Sequence, residues 1–240
     1  MTDPATPDSE EVLRVSGLKV HYPVREGFSR RQLKAVNGLD LTLRAGECLG
    51  LVGESGCGKS TLAGAIMGLT RITEGSVTVA GQDVGQAVRT EPLAQARRVQ
   101  MVFQDPFASL NPRKTIRQAL AEPLRLHGLR DAAEIEHRVI AMLDRVGIKP
   151  DGAARRPHEF SGGQRQRICI ARALIVEPRL LVCDEPVSAL DVSIRAQIIN
   201  LLLELKNETG VALLFISHDL GVVEHMSDRI AVMYLGRIVE

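Results

Sequence analysis

A chain of 240 residues is long enough for one sizeable core or two small ones, and 45% hydrophobic with 25% charged residues is ordinary for a globular protein. A net charge of +1 gives no broad pull toward nucleic acid or anionic lipid, and 3% aromatic residues without tryptophan argue against a stacking surface for single-stranded nucleic acid. No run of about 18 apolar residues occurs, so no stretch of the chain reads as a bilayer-spanning helix.

Residues 1–9, acidic and containing Pro4 and Pro7, read as a short disordered tail unlike a signal peptide. Leu13, Val15, Leu18 and Val20 then alternate with one imperfection, and Leu39, Leu41 and Leu43 alternate cleanly. Both stretches predict half-buried antiparallel strands, joined by a polar, basic hairpin excursion over residues 25–34. Residues 47–52 predict an apolar strand that runs into a glycine-rich turn and a helix over 60–69. A small strand pair is expected within 77–84 and a strand at 99–103. The middle is helical, over 115–126 and over 133–146, where Ile135, Val139, Met142 and Val146 fall at helical spacing. A third helix begins near Ser161 and stops before Pro178. Beyond it, strands at 180–183 and 211–217 alternate with helices at 192–208 and 220–226, and a hairpin around Gly236 closes the chain. Strand–helix alternation predicts an α/β fold with a parallel sheet under helices, interrupted by a helical block at about 106–168.

Cys48, Cys57, Cys169 and Cys183 form no CxxC pair and read as reduced small hydrophobes. His21, His127, His137, His158 and His225 show no metal-ligand spacing and read as surface or packing residues.

Three segments carry chemistry. Gly53, Glu54, Ser55, Gly56, Cys57, Gly58, Lys59, Ser60 and Thr61 have the spacing GxxxxGK[ST], directly after a predicted strand and before a helix. Glycines let the backbone curl until successive N–H groups face one anion, and the helix start adds partial positive charge. Lys59 can reach the β- and γ-phosphates of a nucleoside triphosphate, and the Ser60 hydroxyl can ligate Mg²⁺. Cys57, close to that helix start, is expected to be a thiol that alkylates readily and is protected by ATP. The second segment is the apolar strand that ends in Asp184 and Glu185. Two carboxylates there are costly unless they meet a cation or water, so Asp184 reads as an Mg²⁺ orienter and Glu185 as the group that polarises the attacking water. In the third, Ser161 is a helix N-cap and Gly162 and Gly163 expose the first amides, a second anion site completed by Gln164.

In this order, the segments resemble the ATP-binding-cassette (ABC) ATPases. Residues 160–164 are similar to the family signature LSGGQ, with Phe160 in place of leucine, and Ser188-Ala-Leu-Asp191 and His218 follow as they do in the family. The resemblance covers residues 13–240. It implies one ABC ATPase domain over 1–240: a RecA-like P-loop NTPase core with an antiparallel β subdomain at 11–105 and 169–240, and an inserted α-helical subdomain at 106–168. Gln104 then matches the glutamine that contacts Mg²⁺ or water and hinges toward a membrane partner, and His218 the residue that holds the γ-phosphate. Asp191 matches the aspartate at a dimer interface, and Tyr22 the aromatic that stacks on adenine. The resemblance further implies a second ATPase chain bound head to tail, with Ser161 and Gly163 completing the other chain's ATP site. Transmembrane permease subunits, an indirect link to a substrate-binding protein, a place on the cytoplasmic face of the membrane, and no nucleic-acid partner also follow from it.

Residues 104–113 and 158–167, with 184–191, look like the ATPases of oligopeptide and dipeptide importers, a group that also imports nickel and glutathione-like solutes. Importers of this type use two different ATPases, so a heterodimer is expected. Relatives usually run past the hairpin at residue 240, some of them into a cysteine-rich cluster segment; without such cysteines no iron–sulfur site is expected. Two other ABC-type roles compete. An ATPase of DNA repair or translation usually carries coiled-coil arms or a second cassette, and a non-hydrolysing sensor would have little use for Glu185 and His218.

Overall fold

A computed structural model describes residues 10–26 and 29–240. The tail expected over residues 1–9 and the tip of the expected hairpin excursion lie outside the described residues.

Strands β1 (Glu11–Glu26) and β2 (Ser29–Arg44) form a long antiparallel pair, extended by β4 (Glu74–Val79) and β5 (Gln82–Asp83) into a sheet of order β2-β1-β4-β5. The imperfection in the β1 alternation is a bulge. Register shifts between Val15 and Leu18, where Gly17 takes φ 55° and its N–H donates to Asp40 Oδ1 at 2.8 Å. The extra residue lets Val15 and Leu18, three apart, both point into the core.

The second sheet has the order β10-β9-β3-β8-β7-β6. Its strands are β3 (Cys48–Val52), β6 (Val99–Val102), β7 (Leu180–Asp184), β8 (Ala212–Ser217), β9 (Arg229–Tyr234) and β10 (Arg237–Ile238). All neighbours are parallel except the closing pair β9–β10. Strands β3, β7 and β8 are apolar without alternation because both faces are covered. Leu49, Leu51, Leu180, Val182, Leu214 and Ile216 join one core with the antiparallel sheet and helix α1 (Lys59–Ile66). Cys48, Leu181, Cys183, Leu213 and Phe215 join another with the later helices. All four cysteines are free and buried. Burial of each large apolar side chain contributes about 1.5–3 kcal/mol.

Beyond α1 the helices are α2 (Val84–Thr90), α3 (Pro92–Arg98), α4 (Pro106–Ser109), α5 (Ile116–Leu126), α6 (Ala132–Arg145), α7 (Gly162–Leu174), α8 (Val192–Thr209) and α9 (Leu220–Met226). Helix α6 matches its expected stripe: Asp131 caps its start, and Ile135, Val139 and Met142 are buried. Helix α1 stops at Ile66, three residues earlier than expected, because Gly68 turns left-handed at φ 72°.

Helices α2, α3 and α4 were not expected. The first two are a turn or two each, and the one buried side chain of α3 is Gln95, so no apolar stripe marks it. Four-residue α4 is held from outside. Asp105 caps it, the Arg165 guanidinium of α7 lies 3.6 Å over the Phe107 ring, and Arg172 donates to the Ser109 carbonyl.

Candidate functional site

The parallel register brings three strand ends level: Val52 pairs with Ser217, and Asp184 pairs with Ile216. Gly53, Glu185 and His218 therefore leave the sheet side by side at its carboxyl edge, where ligands of open α/β sheets bind. Val102 pairs with Cys183, so the exposed Gln104 leaves the same edge one strand further along.

The loop from Gly53 to Lys59 is a cradle that side chains would fill. A Cβ on Gly53 would stand 2.2 Å from the Met233 carbonyl of β9, and one on Gly58 2.2 Å from the Ala35 carbonyl of β2. Gly58 also takes φ 113°, which disfavours any residue with a side chain. A further tie runs from Gly236 N–H to the Cys57 carbonyl at 2.9 Å. Gly58 caps α1 without a side-chain hydrogen bond, so the first amides of the helix are left for a ligand. Lys59 is only 6% exposed, and its Nζ donates to the Gly53 and Glu54 carbonyls at 2.7 and 2.9 Å. The ammonium thus sits folded into the loop mouth, where an anionic phosphate would offset the cost of its burial.

Cys57 corrects one expectation. Its thiol is buried at 5% exposure with Sγ 3.9 Å from Lys59 Nζ, which removes the access that ready alkylation needs.

Behind the loop, the Ser60 hydroxyl donates to the Asp184 carboxylate. Burial pushes the Asp184 pKa up, the Ser60 hydrogen bond holds it down in part, the like charge of Glu185 raises it further, and Lys59 opposes both. A carboxylate disfavoured in its charged form beside a hydroxyl is a donor set that fits a hard cation. No cluster of three or more His, Cys, Asp or Glu side chains able to hold a metal forms among the described residues. A cation at Asp184 would therefore take hydroxyl, amide and phosphate oxygens rather than a cage of carboxylates.

Glu185 occupies a left-handed turn at φ 49°, with its N–H on the Ile216 carbonyl at 2.9 Å and its own carbonyl accepting from Ser188 Oγ at 3.1 Å. Strain of this kind at a non-glycine residue costs on the order of 1 kcal/mol and persists where surrounding contacts enforce it. Opposite stands His218, its side chain 60% exposed and its Nδ1 3.2 Å from Glu185 Oε2.

Tyr22 lies on β1, 39% exposed and paired across the strands with Leu33, two residues from the Ala35 that abuts Gly58. Its ring is therefore on the strand pair that borders the cradle. Thr61 is a half-buried residue of the first turn of α1, and Ser55 and Gly56 are exposed at the loop tip.

Residues 161–164 have other neighbours. Ser161 and Gln164 form a capping box at the start of α7: Gln164 N–H donates to Ser161 Oγ at 3.3 Å and Ser161 N–H to Gln164 Oε1 at 3.0 Å. Their near neighbours are Leu190 and Ile194, which a Cβ on Gly162 or Gly163 would approach to 3.7 and 2.4 Å. Asp191 caps α8 with an exposed carboxylate that makes no cap hydrogen bond. Asp219 and Arg195 form an ion pair beside His218 that local sequence pattern does not reveal; an aspartate directly before a short apolar helix is the signal for the first of them.

Residues 36–188 match the ABC transporter family. The chain belongs to that family, as its ATPase cassette. It is 54% identical over 235 residues to the oligopeptide transport ATP-binding protein OppF of Escherichia coli strain K12, covering 95% of this chain and 70% of OppF. AppF of Bacillus subtilis strain 168, also an oligopeptide transport ATP-binding protein, is 51% identical over 237 residues, covering 97% and 72%. The glutathione import ATP-binding protein GsiA of Salmonella typhimurium is 52% identical over 238 residues, which make up 38% of GsiA. Among solved structures, the cassette MJ0796 in a dimeric post-hydrolysis state with ADP and Pi superposes with TM-score 0.83 at 27% identity, covering 95% of this chain and 97% of that one. The cassette cbiO1 of Clostridium perfringens, part of the ABC transporter complex cbiONQ, has the same TM-score and identity, covering 96% and 88%.

Proposed function

We propose that this chain is the ATP-binding and ATP-hydrolysing subunit of an importer for di- or oligopeptides, acting through separate transmembrane permease subunits. The observation that carries the reading is the level edge at which Val52, Asp184 and Ser217 end their strands, so that Lys59, Ser60, Asp184, Glu185 and His218 face one cradle. Identities of 51–54% to AppF and OppF support the peptide class. The 52% identity to GsiA supports a second reading of the solute, glutathione, itself a short peptide.

In this reading residues 11–105 and 169–240 are the nucleotide-binding core with its β subdomain, and 106–168 are a helical subdomain. The amides of residues 53–61 wrap the triphosphate, Lys59 meets the β- and γ-phosphates, and Tyr22 stacks on adenine. Ser60, Gln104 and Asp184 hold Mg²⁺, which supplies charge neutralisation at the phosphate oxygens. Glu185 orients and polarises the attacking water, and His218 turns from Glu185 to the γ-phosphate. Ser161, Gly162, Gly163, Gln164 and Asp191 serve the ATP of a second cassette bound head to tail, a different chain in the complete importer. The cassette sits on the cytoplasmic face of the membrane beneath the permease and is linked to a substrate-binding protein only through it.

Steady-state ATP hydrolysis by the purified chain, beside Lys59→Ala and Glu185→Gln, tests the site. Both variants are expected to lose on the order of a hundredfold or more in rate, with ATP binding lost in the first and kept in the second. Hydrolysis at wild-type rate in either would overturn its assigned role. Liposomes carrying the chain with its co-purified permease subunits test the solute: ATP-dependent peptide uptake is expected, and nickel uptake without peptide uptake would overturn the peptide class.

A further inference from the structure

The first turn of α8 touches two functional segments at once. On one side Ile194 packs so closely on α7 that a Cβ on Gly163 would meet its Cγ2 at 2.4 Å. One residue on, Arg195 reaches the other way, and its Nη1 donates to Asp219 Oδ2 at 3.0 Å. The pair is partly buried, with side chains 26% and 40% exposed, and the Arg195 Nε is buried without a hydrogen-bond partner. Asp219 is thus the anion that offsets the desolvation of this guanidinium.

Asp219 directly follows His218 and is anchored twice more. Its Oδ1 accepts from Val222 N–H at 3.3 Å and so caps α9, and its own N–H donates to Ser217 Oγ at 3.0 Å, from a serine buried at the end of β8. The His218 ring is mostly exposed, with its Nδ1 against Glu185 Oε2, so it has little packing of its own to fix it. Where the ring stands is decided by the backbone at residues 217–219, and that backbone is pinned through Asp219.

We propose that Arg195 and Asp219 are positioning residues for ATP hydrolysis: their ion pair, mounted on the helix turn that also abuts Gly163, holds the His218 loop in register with Glu185. The inference rests on the ATPase reading above and adds residues to it. Neither side chain contacts the nucleotide; both act through His218. Helix α8 starts at Asp191, on the surface assigned to the second cassette, so a displacement of its first turn on closure moves Ile194 and Arg195 together. Within one chain the segment serving the neighbour's ATP is thereby tied to the histidine serving its own.

The test is the kinetics of the full chain as wild type, Arg195→Gln, Arg195→Lys and Asp219→Asn. Asparagine still caps α9 but removes the ion pair, and lysine keeps a single charged donor, which is all that the contact through Nη1 uses. We expect Arg195→Gln and Asp219→Asn to lower kcat about tenfold while KM and the Kd for ATP stay within about twofold, and Arg195→Lys to restore most of kcat. Melting temperatures should stay within a few degrees of wild type, because a partly exposed ion pair contributes only about 0–1 kcal/mol. Unchanged kcat in Arg195→Gln, or losses that track melting temperature and are shared by lysine, would overturn the positioning role while leaving the ATPase reading intact. A wild-type chain that binds ATP but does not hydrolyse it in any assembly would overturn both.

Discussion

At Asp184 the charge that the chemistry needs is the charge that the fold resists. Burial and Glu185 raise its pKa above the ordinary 3.8, so between that value and the raised one the native state holds the proton more tightly than the unfolded chain. Stability from this group therefore falls as pH rises through that window. Asp184→Asn is expected to raise the melting temperature of the nucleotide-free chain at pH above that window and to flatten this part of the pH dependence. In the proposed role of Asp184, the same substitution should remove the gain in ATP affinity that Mg²⁺ supplies, together with the activity. Thermal melts from pH 4 to 8, with and without Mg-ATP, check both; a variant less stable than wild type throughout would contradict the burial penalty. The acid pair at the end of an apolar strand was visible in the sequence as an anomaly. That Ser60 donates to one acid and His218 faces the other was not, because those residues lie far apart in the chain and only strand register brings them together.

Elements differ in how far their own residues specify them. Helices α5 and α6 carry enough apolar periodicity and capping to be read directly, and Thr115 and Asp131 supply the caps. Helices α2, α3 and α4 are too short to show a period, and α4 exists through the grip of Arg165, Cys169 and Arg172 on its residues. The glycines at two helix starts make a contrast that can be measured. At Gly163 an added Cβ would meet the Ile194 side chain, whereas at Gly58 it would meet the Ala35 carbonyl with the backbone at φ 113°. Gly163→Ala is expected to cost about 1–3 kcal/mol and to be largely relieved in Gly163→Ala/Ile194→Ala. Gly58→Ala should cost more, and no side-chain truncation should rescue it. Urea titrations of the single and double variants decide this. Ser161→Ala removes one half of a capping box and is expected to lower stability by about 1 kcal/mol. A loss of hydrolysis larger than that accounts for is the outcome expected if Ser161 serves a second cassette's site, as proposed.

Across the whole molecule, the phosphate cradle and the capping-box segment 161–164 have separate surroundings, one bordered by β2 and β9, the other by Leu190 and Ile194. In the proposed reading these are two half-sites that meet when two chains pair, and the similar cassette MJ0796 is dimeric. Glu185→Gln, expected in the proposed reading to bind ATP without turning it over, should shift to a dimer in size-exclusion chromatography with Mg-ATP and return to monomer with ADP. A variant that remains monomeric with ATP while wild type hydrolyses normally would break the paired arrangement, unless addition of a second cassette restores the shift. The sequence by itself determined the phosphate loop, the acid pair, the capping segment and the alternation of strand and helix, because each rests on local spacing or on a local clash between burial and polarity. Tertiary structure alone decided which strand ends stand level, that His218 faces Glu185, that Ala35 and Met233 close the cradle, and that Arg195 reaches Asp219. Parallel pairing and helix docking join residues far apart in the chain, and no local pattern encodes the register in which they meet.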